Sequence, residues 1–184
     1  MAENRALIRE RPMAVVRMPV RILGLDPGLA RMGWGIVAVE GTRLSHIAHG
    51  VLTSDAKLGI GVRLLVLHDA LCAILSAHAP EAIAVEQAFV HKDPSAALKL
   101  GPARAVALLA AAQSHLEIAE YAPNQIKKCV VGVGHAGKEQ VLAMVRRLLP
   151  TAQVESADAA DALAAAIAHA HLSTTQMRIR MALA

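Results

Sequence analysis

Aromatic residues are almost missing from this chain: one Phe, one Trp and one Tyr make up 2% of its 184 residues. Apolar residues still reach 55%, and much of that fraction is alanine, which favours helices over a dense aromatic core. There are two cysteines, Cys72 and Cys129, at no metal-ligand spacing. Two cysteines are too few for a disulfide scaffold, and reduced thiols in a cytoplasmic protein are expected. No uninterrupted apolar run reaches the ~18 residues of a membrane span. The N-terminal arginines precede no apolar segment with a small-residue cleavage site, so no secretory signal is expected. Charge of either sign is modest. Half of the formal excess of +4 lies in the first 20 residues, and such mild basicity permits a nucleic-acid partner without showing one.

The length suits one compact α/β domain. Residues 1–20 lack a clear period and read as a flexible extension, so the ordered domain is expected over 21–173, with a basic, unpatterned tail over 174–184. RILGLD (21–26) reads as a buried strand, PGLARMG as a turn, WGIVAVE (34–40) as a second strand and RLSHIAHGVLTS (43–54) as a third, which makes a meander. Leu64, Leu67, Leu71, Ile74 and Leu75 recur at helical spacing until Pro80. AIAVE (82–86) and LEIAEY (116–121) read as two further strands. Helices are expected over 95–114, interrupted at Gly101-Pro102, and near 123–131, 138–149 and 157–172. The expected architecture is a mixed sheet, antiparallel meander plus parallel strands, with helices on its faces. Functional groups in such sheets gather at the carboxyl ends of parallel strands.

Four carboxylates end or interrupt apolar segments. Asp26 closes RILGLD, Glu86 closes AIAVE, and Asp158 and Asp161 open DAADALAAAIAHA. A bare carboxylate at the edge of a core is costly unless something pairs with it, and no Lys or Arg stands nearby in sequence. Each has an ordinary explanation. Asp26-Pro27-Gly28 can be a turn in which Asp accepts a backbone amide and Gly supplies positive φ. Glu86 can be a solvated strand end. Asp158 and Asp161 suit the positive end of a helix dipole, and their i, i+3 spacing puts both on one face. Jointly these explanations leave the strand-end placement of Asp26 and Glu86 a coincidence. Convergence on a shared cation explains it. The chemistry that uses such a cluster is phosphodiester cleavage by two divalent ions, and all-oxygen ligands suit Mg²⁺, with Mn²⁺ as a substitute.

A competing signal is Gly132-Val-Gly-His-Ala-Gly137-Lys138, which matches G-x-G-x-x-G and most of a Walker A loop. Glu139 replaces the hydroxyl that would hold Mg²⁺, and the preceding NQIKKCVV is not a buried strand, so a glycine-rich loop before a helix is the better reading. Lys138 remains a good phosphate contact. Lys92, Lys99, Arg104, Lys127, Lys128, Arg146 and Arg147 are further basic residues between the second half of the sheet and the last helix. Any of them can be a solvated charge, and Lys127-Lys128 with Lys138 flank the acidic residues as backbone-phosphate contacts would. Phe89, the lone phenylalanine, stands in a polar loop three residues after Glu86, as a core residue or a base-stacking wedge. His91 in that loop is ambiguous.

ILGLDPGLARMGWGI, AIAVEQAFVHKDPSAALKLGPARAVA, EYAPNQIKKCVVGVGHAGKEQVLAMV and ADAADALAAAIAHAH together resemble the RuvC family of Holliday-junction resolvases over residues 21–172. The resemblance implies an RNase H-like fold and a homodimer that makes paired symmetric nicks in four-way DNA junctions during recombination and repair, alongside the RuvA–RuvB branch-migration complex. It implies metal ligands at Asp26, Glu86, Asp158 and Asp161, basic DNA contacts at Lys127 and Lys138, and junction unstacking at Phe89. Pro102 and Gly137 depart from the family pattern, and the first 20 residues have no counterpart in it. The alternatives are another RNase H-like nuclease with a different nucleic-acid substrate, and an actin- or sugar-kinase-like ATPase, which needs two such domains, a number that 184 residues hardly permit.

Overall fold

A computed structural model describes the backbone of residues 18–87 and 94–183 and the side chains of 18–87 and 101–173. The elements run β1 (Val20–Asp26), β2 (Arg31–Glu40), β3 (Arg43–Thr53), α1 (Ile60–His78), β4 (Ala82–Glu86), α2 (Pro94–Gln113), β5 (Glu117–Tyr121), α3 (Pro123–Val131), α4 (Lys138–Leu148) and α5 (Ala157–Leu183). The five strands form one sheet in the order β3-β2-β1-β4-β5. β1, β2 and β3 are the antiparallel meander, while β4 runs parallel to β1 and β5 parallel to β4. The expected mixed sheet is present.

Alternation along the strands divides the core into two layers, because successive side chains leave a strand on opposite faces. Leu23, Leu25, Ile36, Ile83 and Val85 meet α1 and α2, whereas Ile22, Val37 and Ala84 meet α3, α4 and α5. Helices therefore cover both faces. Each fully buried Leu or Ile in these layers contributes about 1.5–3 kcal/mol.

α5 packs very closely on β1 and β2. Gly24 and Gly35 are cross-strand partners, and Gly33 is the partner of Asp26. A Cβ built at Gly24 would lie 1.9 Å from the Ala162 carbonyl oxygen, one at Gly33 2.0 Å from the Asp158 carbonyl oxygen, and one at Gly35 2.5 Å from the Leu163 side chain. The helix answers with alanine: Ala159, Ala160, Ala162, Ala164, Ala165, Ala166 and Ala168 are all buried. Small residues on both partners let the helix backbone lie nearly on the sheet.

Several expectations change. β2 begins at Arg31, so the preceding turn is only Pro27–Ala30. Gly28 is not at positive φ; it is required because a Cβ there would lie 2.2 Å from the Arg31 carbonyl oxygen. Pro102 lies within one helix, where a break was expected. α5 continues to Leu183 through the segment read as an unpatterned tail, since no Gly or Pro follows Ala157 and the residues there are good helix formers. α1 is apolar enough by length and composition to cross a membrane, with mean hydropathy 1.8. It is nonetheless the crossover from β3 to β4, with Leu67, Leu71 and Leu75 buried against the sheet. Phe89, His91 and Lys92, and the side chain of Lys99, lie outside the described residues.

Gly24→Ala should destabilise the fold by at least about 1–3 kcal/mol through overpacking. Gly61→Ala, in the first turn of α1 with nothing within 4 Å of its added Cβ, should be neutral or slightly stabilising. Urea unfolding of the two variants checks the contrast.

Candidate active site

β1 and β4 are parallel neighbours with Leu25 beside Val85, so Asp26 and Glu86 leave the sheet side by side at its carboxyl edge. The close seating of α5 brings its first turn to the same edge: Gly33, opposite Asp26, abuts the backbone of Asp158. Asp161 follows one turn later. Three chain segments that are remote in sequence thus deliver four acids to one place.

The charges feel one another. Burial raises the Asp26 carboxyl to about 6, and the nearby charges of Asp161 and Asp158 add to the rise. Glu86 is raised to about 8, first by burial and then by Asp26 and Asp161. Asp161 is also raised, chiefly by burial, against the lowering effect of Lys138. Neither Asp26 nor Glu86 accepts a hydrogen bond from a described residue, so the turn-capping explanation of Asp26 fails. The simple solvated strand end fails for Glu86 as well, because burial dominates its shift.

Two cations border the cluster directly. Lys138, the first residue of α4, places Nζ 3.6 Å from Asp161 Oδ2. Arg31, the first residue of β2, donates from Nε to Asp158 Oδ2 at 2.6 Å and from Nη2 to Ser156 Oγ at 3.4 Å. Lys127 on α3 is near enough to act on Glu86 and Asp161 electrostatically. The expected basic group is narrower than its sequence suggested. Arg104 makes a two-pronged pair with Glu120 at 2.8 and 2.5 Å, and Arg146 donates to the Val154 carbonyl. The segment resembling a nucleotide loop joins two helices: Gly132 caps α3 at φ 93°, and Gly137 N donates to Gln140 Oε1 at the start of α4. No strand feeds it, so it lacks the setting of a phosphate-binding loop.

The donor set is all oxygen, half-buried and short of internal counter-charge, which suits a hard dication. The cage is not closed, however. Among the described residues, no three His, Cys, Asp or Glu side chains stand so as to hold a metal ion.

The profile described as "Crossover junction endodeoxyribonuclease RuvC" matches residues 22–169. The chain belongs to the RuvC family. It is 54% identical over 168 residues to the Parvibaculum lavamentivorans crossover junction endodeoxyribonuclease RuvC, covering 90% of this chain and 96% of that one. The Paracoccus denitrificans RuvC is 56% identical over 162 residues, covering 88% and 98%. Among solved structures, Thermus thermophilus RuvC in complex with Holliday junction substrate superposes with TM-score 0.80 at 32% identity, covering 87% of this chain and 97% of that one. The yeast mitochondrial Holliday junction resolvase shares the fold, with TM-score 0.62 at 14% identity over 88% of this chain and 83% of that one. RuvC-family nucleases generally depend on a divalent metal, and the RNase H-like reading of the sheet holds.

The sequence reading missed Arg31. Its only local signal is position: it stands two residues before Gly33, hence on the same face of β2.

Without divalent cations, pH should act on stability through Asp26 and Glu86. Their folded carboxyls keep protons up to about 6 and about 8, against ordinary values of 3.8 and 4.5. Between those limits the folded state binds more protons than the unfolded one, so stability falls as pH rises from about 4 to about 8. Thermal melts in chelator should show this slope, and Glu86→Gln should flatten its upper part.

Proposed function

We propose that this RuvC-family chain resolves four-way DNA junctions by divalent-metal-dependent hydrolysis at the carboxyl edge of its sheet. Asp26, Glu86, Asp158 and Asp161 are the metal ligands in this reading. The observation that carries it is the pair Asp26 and Glu86, half-buried side by side with no hydrogen-bond donor among the described residues to stabilise either charge. Such a pair is costly for a structural role and suited to a cation-binding one. Two Mg²⁺ ions, or Mn²⁺ in their place, would supply an activated water and a stabilised departing oxygen.

The protein's own groups supply position and charge. Asp26, between the other acids, is the ligand common to both ions; Glu86 supports one side and the Asp158/Asp161 pair the other. Seating on strand ends and on a helix locked to the sheet keeps these oxygens from drifting when substrate binds. Lys138 and Lys127 point positive charge at the cleft, where they would steady phosphate oxygens of the strand to be cut. Phe89 lies outside the described residues, and its role at the junction centre rests on the family resemblance, as does cooperation with RuvA–RuvB. The substrate is met in the bacterial cytoplasm.

A junction offers two equivalent strands, so paired nicks call for a two-fold dimer. The α1–α2 face supports one. Leu65 and Leu109 are 58% and 53% exposed, and with Leu64, Val106 and Pro102 they line an apolar groove of about 520 Å³. Apolar patches of this kind mark interaction surfaces, and this one explains why α1 is so apolar on both sides.

Asp26→Asn should abolish junction cleavage in Mg²⁺ while leaving junction binding in gel-shift assays within about twofold. A folded variant that lost binding instead would contradict the role given to Asp26. A Leu65→Asp, Leu109→Asp double variant should move the sedimentation mass from two chains to one. Comparing four-way junctions, flaps and RNA–DNA hybrids as substrates separates this reading from another RNase H-like nuclease.

A further inference from the structure

Asp158 differs from the other three acids. Its backbone abuts Gly33 of β2, and in the sheet order β3-β2-β1-β4-β5 that strand is separated by β1 from β4, which carries Glu86. Asp158 therefore stands on the side of the cluster away from Glu86. It is also the one acid whose carboxylate is already taken at full hydrogen-bond strength, by Arg31 Nε at 2.6 Å. Asp161, by comparison, has only Lys138 at 3.6 Å.

The backbone explains the pairing. Arg31 and Gly33 share a face of β2, and it is Gly33 that admits the Asp158 backbone to contact with the strand. Any long basic side chain at position 31 must therefore rise beside the first turn of α5. The second hold on the guanidinium, to Ser156 Oγ at 3.4 Å, is weak, and the side chain is 55% exposed. It can swing into water at little cost. A dication seated on Asp158 would repel it with twice the charge of a monovalent ion.

We infer that Arg31 is an internal counter-ion for Asp158 that a divalent cation must displace, so that this arginine sets the cation concentration at which the Asp158 side of the cluster loads. Arg31 is a positioning residue here: it acts through Asp158 and not on the substrate. The inference rests on the reading of the four acids as metal ligands.

The test is Mn²⁺ binding to the full chain without DNA, with free Mn²⁺ counted by electron paramagnetic resonance. Arg31→Gln should lower the dissociation constant of the weaker Mn²⁺ site by about two- to fivefold, the range expected for removing a half-exposed ion-pair competitor. Ser156→Ala, which leaves every charge in place, should shift it in the same direction by less. In an Asp158→Asn background the Arg31→Gln gain should largely disappear. Weaker or unchanged Mn²⁺ binding in Arg31→Gln would overturn the inference and make the arginine an orienting or idle neighbour of Asp158. A gain that persists undiminished in the Asp158→Asn background would overturn it too. If the wild-type chain binds no Mn²⁺ that Asp26→Asn removes, the metal reading itself fails, an outcome distinct from the other two.

Discussion

The contact of α5 with the sheet is the constraint on which the other features depend. Glycines at 24, 33 and 35 leave no room for a single Cβ against the helix, and a run of buried alanines gives the helix a face just as shallow. Alanine and glycine bury little apolar area each. Their contribution is distance, since dispersion and backbone contact gain from approach that larger side chains forbid.

That approach converts a fold into a site. Asp26 and Glu86 would emerge side by side from any sheet in which β1 and β4 are parallel neighbours. Asp158 and Asp161 join them only because the first turn of α5 is held against Gly33. Burial, with the acids' mutual repulsion added to it, raises the protonation range of Asp26, Glu86 and Asp161, and neither Asp26 nor Glu86 has a hydrogen-bond donor among the described residues. A site of this kind stores unfavourable electrostatics that a cation relieves, and the arginine and lysine at its border offset only part of the charge. In the proposed reading, stability is given up at the place where chemistry is done.

Much of this was legible in the amino-acid order. AIAVE is a strand with the bounds its apolar run suggested, and the helices over 60–78, 123–131 and 138–148 follow from periodicity, proline and glycine. The four acids were legible because each breaks an apolar segment. Other features were not. Gly28 reads as a positive-φ turn residue, but what its neighbours demand is the lack of a Cβ. Pro102 reads as a break, yet the helix runs through it. Arg104 and Arg146 read as solvated charges, but Glu120 and the Val154 carbonyl claim them. Arg31 pairs with an aspartate 127 positions away, a relation that appears only once β2 and α5 are in contact. Local pattern reports periodicity and turn chemistry; it does not report which distant group fills a side chain's hydrogen bonds.

In the proposed reading, four remote acids form one cation-binding cluster because a helix lies close against the sheet. Anomalous scattering from crystals of the full chain grown with Mn²⁺ tests that claim most directly. Manganese peaks bounded by Asp26, Glu86, Asp158 and Asp161 are the predicted result. Manganese absent from that edge while occupying another part of the molecule would contradict it.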